Sequence, residues 1–303
     1  MDDIILTRDL PDRGLDSTDA ARLIRRDELQ RLRRGAYRTA PVAVDSAEQR
    51  HRLLIWATLP YLADGAVISH GSAAVVHGLP VHPSALSRVH VTRSRSHGGQ
   101  RRSVLHLHVA PLTSGEVTLI DGAAATSLSR TVLDLARTLP VDQAVAAGDR
   151  ALALGLDPAA LQVGLAAMKS WPGVRRARHS CSLLDARSES VGESMSRVLL
   201  IEQGLPRPVP QFEVFDAWGQ LVGRSDFGWQ EQRTLGEFDG KIKYGRLLRP
   251  GQSIEDVVYA EKLREDALRD CGWQVVRWTW EDLRRPEVIR DRLLRAFARG
   301  RTG

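Results

Sequence analysis

The sequence has only two cysteines and no long apolar segment. Cys181 and Cys271 lie far apart and outside any CxxC or Cys/His cluster, so neither a disulfide framework nor a structural zinc site is indicated. No run approaches the roughly 18 apolar residues that a membrane span needs, so no membrane partner is expected. The N-terminus carries acids where a secretory signal would carry basic residues, which predicts a cytoplasmic protein.

Two further absences limit the chemistry. No loop of the GxxxxGK type occurs, so an ATP-driven role is not expected. All nine histidines lie at or before His179, so no later histidine is available as a general base. His106 and His108 share one face of a predicted strand, but no carboxylate or cysteine nearby completes a metal set, and they are interpreted as structural.

What the sequence does have is arginine. The chain carries 43 basic residues against 37 acidic ones, a net charge of +6, and nearly all of the positive charge is arginine, whose planar fork suits phosphate oxygens. Between Ala21 and Arg38 seven arginines face only two acids. This balance favours a polyanionic partner. The length of 303 residues also exceeds what one core usually supports, so more than one domain is expected.

The basic stretch near the N-terminus predicts a helix followed by a hairpin. Asp16 or Ser17 can cap the helix, and Leu23 and Ile24 give it an apolar edge. Residues 28–37 then alternate around a glycine, which is typical of a two-stranded ribbon.

A helix followed by a basic hairpin resembles a winged helix-turn-helix, and RLRRGAYR is similar to the wing of the AbiEi-type antitoxin N-terminal domain. The resemblance continues in HGSAAVVHGLP (70–80) and SLSRTVLDLAR (127–137) and spans roughly the first half of the chain. It implies a DNA-binding module and a toxin partner.

A second basic segment lies between two predicted strands, RVHVT and SVLHLHV. Their connecting loop, RSRSHGGQRR, contains no acid and is suited to a phosphate backbone; a solvated hairpin tip is the alternative. The predicted nucleic-acid contacts are therefore Arg31, Arg33, Arg34 and Arg38 in the first region, and Arg93, Arg95, Arg101 and Arg102 in the second.

Alanine- and leucine-rich patterns predict three packing helices between 127 and 169, and Pro172 opens a further basic helix. The predicted fold class is α/β, as an α+β multidomain protein. We expect a winged-helix-like basic module at 1–45, an antitoxin-like α/β and helical region at 46–187, and a third domain at 188–303.

The sequence pattern of the third domain predicts the order of elements αβββαβα. Glycines at 204 and 272 end two helices, and Pro286 opens the last one. The predicted elements are a helix at 189–203, strands at 211–217, 221–229 and 233–239, a helix at 254–271, the strand WQVVRWTW, and a final helix with an apolar stripe of Ile289, Leu293 and Phe297.

Charged residues recur at every second position in GEFDGK. Side chains two apart share a face of a strand, so Glu237, Asp239 and Lys241 lie side by side there. Asp226 in GRSDFGW lies on the neighbouring strand, and Glu193 in SESVGES lies on the first helix. Carboxylates that converge from neighbouring strands offer a hard oxygen site for Mg²⁺.

That order of elements, with acids on the second and third strands, resembles the PD-(D/E)xK nuclease superfamily and is most similar to its very-short-patch-repair-like, restriction-endonuclease-like branch. The resemblance implies an endonuclease of DNA repair or phage defence that uses Mg²⁺ or Mn²⁺. Asp226, Glu237 and Asp239 would hold the metal, Glu193 would complete or orient the site, and Lys241 would assist the attacking water.

Interpretations that give these residues no catalytic role remain open. Asp226 and Glu237 could be exposed charges on an open sheet face, paired with Arg224 and Lys243, and Glu193 could form a surface pair with Arg197. The tryptophans of this half favour core packing over base stacking. The alternative function is a non-catalytic transcriptional regulator, an antitoxin of a type IV toxin-antitoxin system, that binds promoter DNA through residues 17–39. Duplex DNA is the favoured partner in either case.

Overall fold

A computed structural model describes residues 4–39, 46–94, 99–240 and 254–300, with the side chains of 254–258 left out. The chain forms two compact units, Met1–Cys181 and Ser182–Gly303. Each unit combines helices with β-sheet, so the predicted α/β multidomain class is confirmed. The unit boundary falls shortly before the predicted division at 187/188, and the predicted division at 45/46 stays a prediction.

The first unit begins with a small antiparallel sheet. Its elements are β1 (Ile4–Leu6), α1 (Ser17–Arg25), β2 (Leu29–Arg33) and β3 (Ala36–Thr39), with strand order β1-β3-β2. The Asp16 carboxylate accepts hydrogen bonds from the backbone N–H groups of Thr18 and Asp19 at 2.7 and 2.8 Å, and so caps α1. The predicted helix and ribbon are confirmed, and β1 adds a third strand that the sequence analysis missed.

A six-stranded mixed sheet forms the centre of the first unit, in the order β6-β7-β5-β4-β9-β8. The strands are β4 (Val67–Ile68), β5 (Val89–Arg93), β6 (Gln100–Arg101), β7 (Leu105–Val109), β8 (Val117–Ile120) and β9 (Ala123–Thr126). The two predicted strands, β5 and β7, exist but run parallel to each other, and β6 pairs antiparallel with β7. The loop between β5 and β7 is therefore not a hairpin tip.

Helices complete the first unit: α2 (Ala47–Thr58), α3 (His70–His77), α4 (Leu128–Thr138), α5 (Val141–Ala153), α6 (Pro158–Ala167) and α7 (Val174–Ser182). The three predicted packing helices are α4 to α6. Buried Arg130 donates to Asp134 and Glu116 at 3.0 Å each, and its guanidinium lies 4.8 Å from the Trp171 ring centroid. These contacts satisfy a cation that burial would otherwise destabilise.

The second unit has the predicted order of elements. They are α8 (Val191–Glu202), β10 (Val209–Phe215), β11 (Leu221–Trp229), β12 (Thr234–Asp239), α9 (Ile254–Asp270), β13 (Gln274–Thr279) and α10 (Pro286–Gly300). The sheet order is β10-β11-β12-β13; the first two pairs are antiparallel, and β12 and β13 are parallel. A parallel pair needs a crossover connection, and α9 lies in the segment that joins these two strands.

The two faces of this sheet are covered differently. On one face Phe227, Phe238 and Trp278 pack with the predicted stripe of α10, which is buried. On the other face Leu235 packs with Leu268 of α9. Polar side chains of β11 and β12 that point towards α9 are therefore covered by a helix and do not lie on an open sheet face.

Two predictions from composition concern disulfide bonds and membrane spans. Cys181 and Cys271 are both free thiols, and burial raises the pKa of Cys181 to about 11. In the described ranges, no helix combines the length and the apolar character that crossing a membrane requires.

Replacing Gly192 by alanine is expected to destabilise the second unit by about 1–3 kcal/mol, the usual cost of overpacking a core. Although alanine is the better helix former, its Cβ would overlap the ring of buried Phe238. Urea unfolding followed by tryptophan fluorescence measures the change. Gly115→Ala is the control, because a Cβ there meets nothing within 4 Å. Equal stability of Gly192→Ala and the unmodified chain would contradict the packing described.

Candidate active site

Strands β11 and β12 bring Asp226 and Glu237 to neighbouring positions. Phe227 pairs with Gly236, and one step beyond this pair the carboxylate Oδ2 of Asp226 accepts the backbone N–H of Phe238 at 2.7 Å. The Ser225 hydroxyl contacts Glu237 Oε1 at 3.2 Å. Each acid is thus bonded to a residue adjacent to the other acid, which places Asp226 and Glu237 at neighbouring positions on adjacent strands.

Glu237 is held between two guanidinium groups. Arg264 of α9 donates from Nη2 to Glu237 Oε1 at 2.6 Å, and Arg277 of β13 donates from Nε to Glu237 Oε2 at 2.8 Å. The Glu237 side chain is 12% exposed, so water screens these pairs only weakly. The interpretation of Glu237 as an exposed charge on an open face is therefore wrong. Arg224, its predicted partner, pairs with Glu189 instead.

The same arginines bind two further acids of α9. Arg264 contacts Glu261 at 2.6 Å, Arg277 also contacts Glu261, and Arg277 Nη1 contacts Glu265 at 2.8 Å. Hydrogen bonds to Glu261 raise the pKa of Arg264 and lower that of Glu261. Burial acts to lower the pKa of Arg277, but the hydrogen bond and charge of Glu237 outweigh it and raise that pKa. Three carboxylates and two guanidinium groups therefore share one network.

Asp239 ends β12 on the same face as Glu237 and pairs in register with Thr279 of β13. Lys241, predicted to assist the attacking water, lies outside the described residues, as does Lys243. In the described part of the chain, no set of three carboxylates has ligand atoms within 4.8 Å of one another. The three predicted ligands Asp226, Glu237 and Asp239 therefore do not bring their carboxylates together as one set of metal ligands in the described part of the chain.

Glu193 lies in the first turn of α8 and is 5% exposed. Its carboxylate accepts hydrogen bonds from Glu189 N at 2.9 Å, Ser190 Oγ at 2.7 Å and Gln211 Nε2 at 2.8 Å. The alternative of a surface pair with Arg197 is therefore wrong, because both side chains are buried. Glu193 instead fixes the start of α8 to β10.

Gln211 is a site residue that sequence reasoning missed. It lies on β10 between the residues paired with Phe227 and Ser225, which places it across from Asp226. Its backbone is left-handed, with φ of 54°, a conformation that few side chains adopt. A polar residue between hydrophobic neighbours in a strand was the available signal. Through Gln211, Glu193 is connected to the strand position beside Asp226.

The predicted contacts of the basic hairpin differ in exposure. Arg31 and Arg34 are exposed, and Arg33 lies 4.7 Å from the Tyr61 ring centroid. Arg38 is 4% exposed, so its guanidinium does not face a partner in solution. Beside the hairpin lies an open cleft of about 440 Å³, whose lining includes Arg31 and Arg50. The hairpin thus keeps a basic surface without Arg38.

The predicted basic loop contributes fewer available charges. Arg93 donates to the backbone oxygen of Ala63 at 2.8 Å, so part of its guanidinium is used within the fold. Arg101 and Arg102 are exposed and make local bonds at 3.3 and 3.0 Å. Arg95 lies outside the described residues. Two exposed arginines at β6 remain as candidate phosphate contacts.

The tryptophans mainly pack, as predicted. Trp278 is buried, and its indole N–H donates to Ser196 Oγ at 2.8 Å. The Trp229 indole N–H donates to the backbone oxygen of Pro206 at 2.7 Å. Two tryptophans of this half are exposed: Trp218, 85% exposed at the turn between β10 and β11, and Trp280, 40% exposed.

Comparison with known proteins gives relatives but no family. No family model matches the chain. Two uncharacterized proteins, one from each of two strains of Mycobacterium tuberculosis, are 26% identical to it over 243 residues, which is 80% of this chain and 84% of each relative. Since 243 residues exceed the length of either unit, the similarity includes parts of both.

Glu193→Ala is expected to lower the free energy of unfolding of the second unit by about 1–3 kcal/mol. The substitution removes the carboxylate that accepts from Glu189 N, Ser190 Oγ and Gln211 Nε2. Glu193→Gln should cost less, since its amide oxygen still accepts. Urea unfolding followed by tryptophan fluorescence checks both variants. Glu213→Ala is the control, because Glu213 is an exposed residue of β10. Equal losses in Glu193→Ala and Glu213→Ala would contradict a structural role for Glu193.

Proposed function

We propose that the second unit is a metal-dependent endonuclease domain that hydrolyses phosphodiester bonds of DNA. The observation that carries this proposal is that Asp226 and Glu237 occupy neighbouring positions on adjacent strands β11 and β12, each bonded to a residue next to the other acid. The observed order of elements, αβββαβα, supports it, since this order underlies the resemblance to the PD-(D/E)xK superfamily. The basic composition supports a polyanionic substrate.

The donor set fits a hard divalent cation. Asp226 and Glu237 would hold Mg²⁺ or Mn²⁺, and each offers carboxylate oxygens of the kind this cation prefers. When bound, the ion would supply a water of lowered pKa and positive charge beside the scissile phosphate. Ser225 and the backbone N–H of Phe238 keep the two carboxylates in place, so little rearrangement of the strands is needed.

Arg264 and Arg277 have a second role in this proposal. A guanidinium group binds phosphate and carboxylate oxygens with the same fork of donors, so both arginines can exchange Glu237 for a phosphate oxygen of the substrate. Such an exchange would release the Glu237 oxygens as the substrate enters. Glu261 and Glu265 keep the arginines oriented throughout.

Cleavage of plasmid DNA tests this function. The unmodified chain is expected to cut only with Mg²⁺ or Mn²⁺ and to stop with EDTA. Asp226→Asn and Glu237→Gln should each lower the rate about 100-fold or more, on the scale of losing one positioned electrostatic group. Glu213→Gln, a carboxylate of the same sheet that is exposed on β10, is the matched control.

A loss of cutting reflects chemistry only in a variant that remains folded, which circular dichroism checks. Glu237→Gln also weakens the ion pairs with Arg264 and Arg277 and should be less stable. Asp226→Asn, whose amide oxygen can still accept the Phe238 N–H, is therefore the decisive variant. Metal-independent cutting, or full activity in both Asp226→Asn and Glu237→Gln, would contradict the proposal. DNA binding without any cutting would favour the second function.

The second candidate function is that of a DNA-binding regulator, an antitoxin that does not cut. The observation that favours it is the exposed basic hairpin, where Arg31 of β2 and Arg34 of the turn that follows are exposed to solvent. Phosphate contacts of this kind position a protein on a duplex. The ion pairs of Glu237 agree with this function too, because they complete the site without a metal.

Arg31→Gln combined with Arg34→Gln is expected to weaken duplex binding and to reduce the slope of log K against log salt by roughly 2, since about one counterion is released per phosphate contact. Gel shifts at several salt concentrations measure the slope, and EDTA should leave it unchanged. Arg150→Gln is the control, an exposed arginine of α5. An unchanged slope in the double variant would rule out the hairpin as the DNA contact.

A further inference from the structure

Four histidines of the first unit gather around one face of its central sheet. His90 of β5 and His106 of β7 are partners in the parallel ladder, and His108 lies two residues further along the same face. His70 begins α3 and stacks on His108, with ring centroids 3.7 Å apart. His70 therefore brings an imidazole from a helix to the histidines of β5 and β7.

Three of these rings, those of His70, His90 and His108, have nitrogen atoms close to one another. One ring nitrogen of each of His70, His90 and His108 lies within 4.8 Å of the others. His90 Nδ1 and His108 Nε2 are 2.9 Å apart. Two nitrogens bound to one tetrahedral Zn²⁺ at 2.0–2.1 Å would be about 3.3 Å apart. This pair is thus close to the spacing that a shared metal ion requires.

The backbone conformation and the hydrogen bonding of His70 are both unusual for a residue that only packs. Its backbone is left-handed, with φ of 51°, and its side chain is 6% exposed. Its Nδ1 contacts Ser69 Oγ at 3.0 Å and lies 4.0 Å from the buried carboxylate of Asp134. Among the described residues Nε2 of His70 has no hydrogen-bond partner. Strained backbone that places a buried, half-satisfied imidazole is typical of a functional position.

Burial favours the neutral form of all three imidazoles, which is the form that metals bind. One nitrogen of the His90–His108 hydrogen bond carries a proton, so that ring must move its proton to its other nitrogen when a metal binds. Burial lowers the pKa of His90 to about 3 and that of His108 to about 2, and burial also holds the pKa of His70 well below its usual range. They are therefore neutral near pH 7, with a lone pair on one nitrogen each.

We propose that His70, His90 and His108 form a site for a borderline transition-metal ion such as Zn²⁺ or Co²⁺. Three neutral nitrogen ligands suit these ions, whereas Mg²⁺ takes oxygen ligands. Water would fill the fourth position of a tetrahedral shell. Because a metal lies in the plane of each imidazole that binds it, the stacked rings of His70 and His108 must tilt; the χ2 torsion of histidine is broad and permits this.

This site is independent of the proposed nuclease function. Its ligands all belong to the first unit, and its donor atoms are nitrogens, whereas the acids at β11 and β12 offer oxygens. The two proposals can therefore fail separately.

The test uses the full chain carrying Asp226→Asn, so that the proposed pair of carboxylates in the second unit is broken while the ion pairs of Glu237 stay intact. After treatment with a chelator and its removal, the protein is titrated with Co²⁺ and Zn²⁺ by absorption spectroscopy and calorimetry. We expect one ion per chain and a cobalt spectrum of nitrogen ligation. His90→Ala and His108→Ala should each weaken binding by more than about 100-fold, because even outer-shell changes cost about 10–100-fold.

His82→Ala is the matched control, since His82 is an exposed histidine of the same unit that contacts Ser84. Circular dichroism confirms that each variant is folded. X-ray absorption of the zinc-loaded chain with His70, His90 and His108 intact counts histidine ligands directly, so the test holds even if a variant does not fold. Absence of metal uptake, uptake unchanged in both variants, or fewer than three histidine ligands would overturn the proposal.

Discussion

The ion pairs that hold Glu237 between Arg264 and Arg277 are the interaction on which the second unit depends. They join β12 to β13, where Glu237 and Arg277 are in register, and both strands to α9. The half-buried carboxylate of Glu237 and the two guanidinium groups are stabilised because they bind one another and Glu261. The position of α9 over this face of the sheet, and the placement of Glu237 beside Asp226, follow from that network.

In the proposed function, the network would give the site two states. Without a ligand, the arginines neutralise Glu237, and the arrangement resembles a structural cluster. With a divalent cation and a phosphate, the carboxylate and the guanidinium groups each have a better matched partner. A low-dielectric setting strengthens both sets of contacts, so in the proposed function the balance between them would decide whether the metal-bound arrangement forms.

Local signals predicted the second unit well. Gly204 and Gly272 adopt left-handed backbone where α8 and α9 end, and Pro286 begins α10. Each of these features is fixed by one or two neighbouring residues, which a sequence pattern records directly. The same holds for the Asp16 cap of α1. The strand β1 was missed because three apolar residues are too short to show a period.

Contacts between distant residues could not be predicted in this way. Arg264 meets Glu237 from another element, and no spacing rule indicates which face of α9 turns inward. His70 joins His90 and His108 only because α3 packs on the sheet and because β5 and β7 run parallel, where a hairpin was the simpler expectation. Arg38 was predicted to be exposed because it is charged. It is buried because β3, the strand that carries it, is the central strand of its sheet.

The central claim is that Asp226 and Glu237 ligate one hard divalent ion. Crystals of the chain grown with Mn²⁺ and measured near the manganese absorption edge test it most directly. The account predicts an anomalous peak bonded to an oxygen of each carboxylate, with at least one arginine turned away from Glu237. Crystals in Mn²⁺ that show no peak there, with both arginines still bonded to Glu237, would contradict it.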